Sequence, residues 1–377
     1  MKIRERGTIN AGEPGSPRAF SVTPSVTPLP DGTLLACYRV GSTKEDCEDE
    51  TLELRRSGDG GRTWSAPRSP FVREVAGRRG SLIAGYVTTI SDGHLLMAAL
   101  WTDREAYPGK SLYNHETQGL LPTRILLSNS RDMGETWSPW RVLPVPEDLG
   151  PLGLTNPILK FAGGRLAISA ETNKHYEDRS TWFQRVVYFF SGDSGGTWSA
   201  PHTVSEDRTG RILNWDQRAE CTPDGLLATF AWTYDTQASR YLNIHRRVSR
   251  DEGNTWTDAE DLGFADQASH PAILSDGRVF LAWVDRFGTQ TIRARLADRI
   301  DAPFRPETEI ILYDHRTTSQ HQPGHTTGVG DVMQQISIWQ FGLPHAVALP
   351  DGDVMVVYYE GNSRSNRISW IRLSPTA

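Results

Sequence analysis

Four residues able to move protons or balance charge stand at matched distances from short turns. Asp216 and Arg218 precede the Asp224-Gly225 pair by eight and six residues. His270 and His345 precede Asp276-Gly277 and Asp351-Gly352 by the same six. A carboxylate and imidazoles can act as general acid and base near neutral pH, and a guanidinium can neutralise an anion. Equal offsets from similar turns imply equivalent places in repeated units, so the repeats come first.

Six such turns occur about 60 residues apart: Asp31-Gly32, Asp92-Gly93, Gly163-Gly164, Asp224-Gly225, Asp276-Gly277 and Asp351-Gly352. Each lies between two apolar runs, which predicts a β-hairpin closed by a two-residue type I′ turn. A second signature, S-x-D-x-G-x-T-W, recurs four times, at Ser57–Trp64, Ser130–Trp137, Ser191–Trp198 and Ser249–Trp256. Its Ser, Asp and Gly suit a hydrogen-bonded turn clamped by a buried indole. In the fourth unit, strands are expected at Arg218–Pro223, Leu226–Trp232, Leu242–Val248 and near Thr257–Leu262. Four-stranded units repeated radially make an all-β, six-bladed β-propeller, one domain over residues 1–377. The sixth unit stops at its third strand, near Asn366–Leu373, so Lys2–Ile9 is expected to pair with that blade and close the ring.

Composition agrees with a turn-rich globular chain: 37% hydrophobic and 23% charged residues, with 34 Gly and 23 Pro. No apolar run approaches the roughly 18 residues of a bilayer helix, so no membrane association is expected. The net charge of −6 argues against a nucleic-acid partner. The three cysteines and the lack of an apolar leader after Met1–Arg6 make a cytoplasmic location the expectation.

The four S-x-D-x-G-x-T-W segments resemble the Asp boxes of the sialidase (neuraminidase) superfamily, whose BNR-repeat proteins are six-bladed propellers. The resemblance spans nearly the whole chain through the repeat frame. It implies that these turns lie on the face away from the active site. Substrate would then bind at the other face, lined by the starts of the innermost strands and by the loops joining second and third strands.

In that frame the innermost strands bring one ring of residues to the mouth, Ser25, Tyr86, Pro157, Arg218, His270 and His345. Two positions earlier stand Thr23, Ala84, Thr155, Asp216, Ala268 and Leu343. The ends of the second strands add Arg39, Trp101, Glu171, Trp232, Trp283, Asp285, Tyr359 and Glu360. Aromatic rings with carboxylates and cations suit a glycan or glycoside, whose C–H faces stack and whose hydroxyls hydrogen-bond. The indoles of Trp101, Trp232 and Trp283 equally suit packing between blades. The loops Gly41–Glu50, Thr102–Pro122 and Asn173–Ser180 are candidates for specificity. The first lies where sialidases carry their acid/base Asp, which makes Asp46 or Asp49 the implied general acid.

The resemblance also shows what is replaced. Sialidases hold a carboxylate with three arginines and use a Tyr–Glu pair. Val22 stands at the first arginine position, Trp232 at another, Asp216 at the Glu and Leu343 at the Tyr. The leading expectation is a glycosidase acting on another glycan, with Asp216 and an acid from residues 45–50 as the two carboxyl groups and His270 and His345 as further acid/base groups. A uronate lyase using Arg218, His270, His345, Tyr86 and Arg39 is the alternative, and a non-catalytic sugar binder the third. No cofactor or metal is expected. His321 and His325 show His-x3-His spacing beside His315, but the stretch Tyr313–Met333 is read as a loop or lid.

Overall fold

Alternate pairs of apolar strands and turns wind six times around one axis. The computed structural model describes residues 1–44, 48–317 and 339–376. Six antiparallel sheets follow in chain order as the blades of a β-propeller. The second strands of the first four blades, Leu34–Gly41, His94–Asp103, Leu166–Thr172 and Leu227–Asp235, are buried at every residue. Both faces of each blade press on neighbours, which is why these strands read as continuous apolar runs rather than alternating ones. Leu96 and Leu100 of the second blade thus share a core with Leu166 and Ile168 of the third.

Ring closure is as expected. Lys2–Asn10 pairs antiparallel with Asn366–Ser374, from Lys2 opposite Ser374 to Asn10 opposite Ile368. The fourth blade consists of Ile212–Cys221, Leu227–Asp235, His245–Ser249 and a short Glu260–Asp261, close to the sequence expectation.

The hairpin turns differ from the two-residue type I′ form in five of six blades. Leu29 N–H donates to Thr33 C=O and Gly32 N–H to Leu29 C=O, and the same pair of bonds recurs around Gly164, Gly225, Gly277 and Gly352. These are three-residue loops, a type I turn followed by a glycine at φ between 81° and 91°. Pro30, Pro223 and Pro350 hold the second turn position with the φ that a type I turn requires. Only the second blade keeps a two-residue loop, between Ser91 and His94.

Each S-x-D-x-G-x-T-W segment is a closed hydrogen-bonded turn. Ser57 Oγ donates to Asp59 at 2.8 Å and accepts from Gly61 N–H at 2.8 Å. Asp59 accepts from Thr63 N–H and hydroxyl at 2.9 and 2.6 Å, and Trp64 Nε1 donates to Gly61 C=O at 2.8 Å. The other three turns repeat the Ser, Asp and Thr bonds. Trp137 and Trp256 repeat the indole bond, whereas the Trp198 N–H is buried without an acceptor among the described residues. The Thr hydroxyl first, then the Thr N–H, hold the Asp59 and Asp251 carboxyls well below the usual range. In all four blades the Ser opposes the start of the second strand: Leu34–Ser57, Leu95–Ser130, Leu166–Ser191 and Leu227–Ser249. The turns therefore sit beside the hairpin loops, at the strand ends remote from Asp216.

Candidate functional site

At the opposite end every innermost strand is interrupted. In the first, fourth and sixth blades two residues oppose one: register jumps between Val22 and Ser25, Trp215 and Arg218, and Gly342 and His345. At these bulges Thr23, Asp216 and Leu343 take φ of 49°, 45° and 47°. Left-handed backbone at a non-glycine residue is strained, and its repetition marks a built feature. The second blade has a smaller slip at Leu82–Ala84, and the third and fifth blades break the strand into Leu152–Gly153 and Leu159–Lys160, and Gln267–Ala268 and Ala272–Ile273. The bulge turns Trp215, Asp216 and Arg218 all toward one cavity of about 160 Å3, smaller than the pockets that hold drug-sized ligands.

Glu171, Asp216 and Arg218 form the polar centre of that cavity. Arg218 Nη1 donates to Tyr86 Oη at 3.2 Å and to the Thr155 carbonyl, while Nη2 lies 3.7 Å from Asp216 Oδ1. Gln267 Nε2 donates to the other Asp216 oxygen, and Gln267 Oε1 accepts from Arg286 Nη2 at 3.0 Å. Glu171 Oε1 accepts from Gln217 N–H at 2.6 Å and from the Thr155 hydroxyl at 3.2 Å. Burial first, then the Asp216 charge, push the Glu171 carboxyl up to about 8, against the pull of the Gln217 N–H. Glu171 is 7% exposed, whereas the Asp216 side chain is 21% exposed. One carboxyl thus keeps its proton at neutral pH beside a second in an ion pair, an arrangement suited to acid and base roles at one bond.

An aromatic wall completes the cavity. Trp232 meets Trp215 edge to face at 6.1 Å, and Trp182 lies 5.9 Å from Trp215. All three line the cavity with Tyr113 and Asn173, which come from the two loops singled out in the second and third blades. Trp182 and Trp215 escaped the strand-offset reasoning: one follows a loop and the other precedes Asp216 inside the bulge. Its one signal was a tryptophan next to the first candidate carboxylate.

Of the residues named from sequence, Asp216, Tyr86, Glu171, Arg218 and Trp232 line the cavity, with Thr23, Ala84, Thr155 and Leu343 of the second ring. His270 and His345 are not among the lining residues and pack beside Tyr86. Their rings stack at 4.7 Å, His345 lies 6.5 Å from Tyr86, and His270 Nε2 is 3.3 Å from Glu220. Burial, then His270 and Arg218, hold His345 well below the usual imidazole range, so it is a neutral packing group.

Six other candidates do not line this cavity. Arg39 is buried in an ion pair with Glu50 at 2.6 Å. Trp101 donates to Arg73 C=O at 2.9 Å among Leu52, Leu54 and Leu82, and Trp283 packs 4.4 Å from Phe264. Asp285 accepts from Gly288 N–H and the Thr289 hydroxyl inside its own turn. Tyr359 packs under the Lys44 ammonium, and Glu360 accepts from Ser369 at 2.6 Å. The shared reason is that second-strand side chains point between blades. Glu171 and Trp232 escape because the innermost strand beside them is broken or bulged.

Asp49 accepts from Ser42 N–H and hydroxyl at 3.2 Å and is not among the cavity's lining residues. Asp46, His321 and His325 lie outside the described residues. His315 is buried, stacked 4.8 Å from Phe341 and bonded to Tyr313 at 3.2 Å. Among the described residues no group of three or more His, Cys, Asp or Glu is placed to hold a metal, and no helix is long and apolar enough to cross a membrane.

The ring of six blades also has counterparts among solved structures. A Dyadobacter fermentans protein of unknown function superposes with a TM-score of 0.73 at 21% identity, covering 99% of this chain and 98% of that one. The intramolecular trans-sialidase of Ruminococcus gnavus, solved with oseltamivir carboxylate, gives 0.65 at 14% identity over 96% of both chains. The fold is that of the sialidases. In sequence, a sialidase of Bacteroides fragilis (strain YCH46) is 26% identical over 280 residues, 67% of this chain. That match spans 46% of the sialidase's own length. No protein-family model matches the chain. Within this sialidase fold the cavity carries Trp232 and Leu343 where the resemblance places an arginine and a tyrosine.

Proposed function

We propose that the protein is a glycoside hydrolase whose two carboxyl groups are Glu171 and Asp216. The observation that carries this reading is their presence in one cavity with Glu171 kept protonated by burial and by its neighbour's charge. Hydrolysis of a glycosidic bond needs a carboxylic acid to protonate the leaving oxygen and a carboxylate to act at the anomeric carbon. Glu171 is suited to the first role and Asp216 to the second, with Gln267 and Arg218 fixing the carboxylate's position. Glu171 replaces the acid expected from residues 45–50. The sialidase fold and the indole wall support a sugar substrate. The lyase alternative loses support because Arg39 is paired with Glu50, and His270 and His345 do not line the cavity.

The test is a panel of nitrophenyl glycosides in both anomeric forms, assayed for nitrophenol release by wild type, Glu171→Gln and Asp216→Asn. Release by wild type that both variants lose supports the assignment. Turnover unchanged in either variant rejects that residue's role.

A further inference from the structure

We infer that the cavity takes a neutral sugar, and that glycones bearing a carboxylate are excluded; this rests on the hydrolase reading above and narrows its substrate class. Every lysine and arginine of the chain lies within the described residues, because positions 45–47, 318–338 and 377 contain neither. The inventory of such cations around the cavity is therefore complete.

Arg218 is the one lysine or arginine among the residues lining the cavity. Its two terminal nitrogens are engaged by Tyr86, the Thr155 carbonyl and Asp216, and its Nε–H is buried without an acceptor among the described residues. The cations behind the wall are engaged too. Lys44 donates to the Trp339 carbonyl, and Arg286 donates to Phe341 C=O at 2.7 Å and lies 4.1 Å over the Trp339 ring. An incoming carboxylate would meet the Asp216 charge and lose its water without gaining a lysine or arginine free of a carboxylate, which strongly disfavours it. Ionisation of Glu171 at higher pH would only add to the repulsion.

What the wall offers instead is neutral. The indole N–H groups of Trp215 and Trp232 are buried and have no acceptor among the described residues. Both residues line the cavity, where sugar hydroxyl or ring oxygens would satisfy them. Ile83, Leu100 and Leu154 present an apolar surface to the C–H face of a pyranose.

The experiment compares aryl glucosides and galactosides, in both anomeric forms, with the matching glucuronides and galacturonides and with an aryl sialoside. Nitrophenol release is read beside binding of the free sugars by competition and thermal shift. The expected result is a neutral substrate whose matching uronide has a kcat/KM about 30-fold lower or less, with no competition from free glucuronate or sialate. An acidic glycone bound or cleaved as well as its neutral partner overturns the inference while leaving hydrolysis standing. Binding of neutral sugars without cleavage removes the hydrolase reading and upholds the neutral site. No binding and no cleavage across the panel overturns both.

Discussion

The backbone N–H of Gln217 donates to the Glu171 carboxyl at 2.6 Å, tying the third blade to the fourth one residue beyond Asp216. The bulge that swings Asp216 into the cavity thus also sets how close the two carboxyl groups stand. Strain at one residue and the proton affinity of another have a common structural origin.

Glu171→Gln keeps that hydrogen bond and removes the titrating group. A fall in kcat of about 10² to 10⁴ is expected. In wild type the acid form is lost as pH rises through about 8, so kcat/KM should decline there. Linkage gives the stability sign: a carboxyl raised in the folded state favours folding at low pH, and that contribution disappears as pH rises toward 8. Thermal melts should show Glu171→Gln gaining on wild type between pH 5 and pH 9.

Asp216→Asn should abolish hydrolysis while the protein stays folded. Asparagine tolerates the φ of 45° that this position requires, so the bulge survives. Circular dichroism and melting temperature near wild type, with no product, is the expected pair of results.

Gln267 is a positioning residue, placed between Arg286 and Asp216. Gln267→Ala frees the carboxylate to shift, and a displacement of about 1 Å can lower kcat by about 10². KM should change much less, and Gln267→Asn should recover part of the loss.

Trp232→Phe removes an unpartnered N–H and keeps a ring in the wall. KM should rise by about 3- to 10-fold, the range of one lost hydrogen bond. Trp283→Phe, between the fourth and fifth blades, should change stability and leave KM alone.

Ser191→Ala removes a buried hydroxyl that accepts from Gly195 N–H at 2.9 Å and donates to Asp193 at 2.8 Å. Stability should drop by about 1 to 2 kcal/mol in denaturant titration. Because the turn lies at the far end of the blade, kinetic constants should not move.

Much of this was legible before any coordinates. Turn residues have few alternatives, so Asp-Gly pairs and S-x-D-x-G-x-T-W segments located the strands and the face remote from the cavity. The offset of six residues put Tyr86, Arg218, His270 and His345 at one level of the axis, and the rings do meet there. Counting could not separate lining from backing residues, because a bulge shifts side chains without a distinctive residue type. That Arg39, Trp101 and Trp283 turn away from the cavity is not written in the sequence, because a strand end looks alike whether it borders solvent or another blade. Trp182 comes from a loop, where periodicity carries no information.

The strand that closes the ring also decides how the ring opens. Since Lys2 lies opposite Ser374, traction applied to the two chain ends acts on a single end of the ladder. Its hydrogen bonds then break one after another like teeth of a zipper, instead of sharing the load as in shear. The sixth blade should therefore be the first to come apart in an optical-tweezers experiment, at low force, with the remaining five still folded behind it.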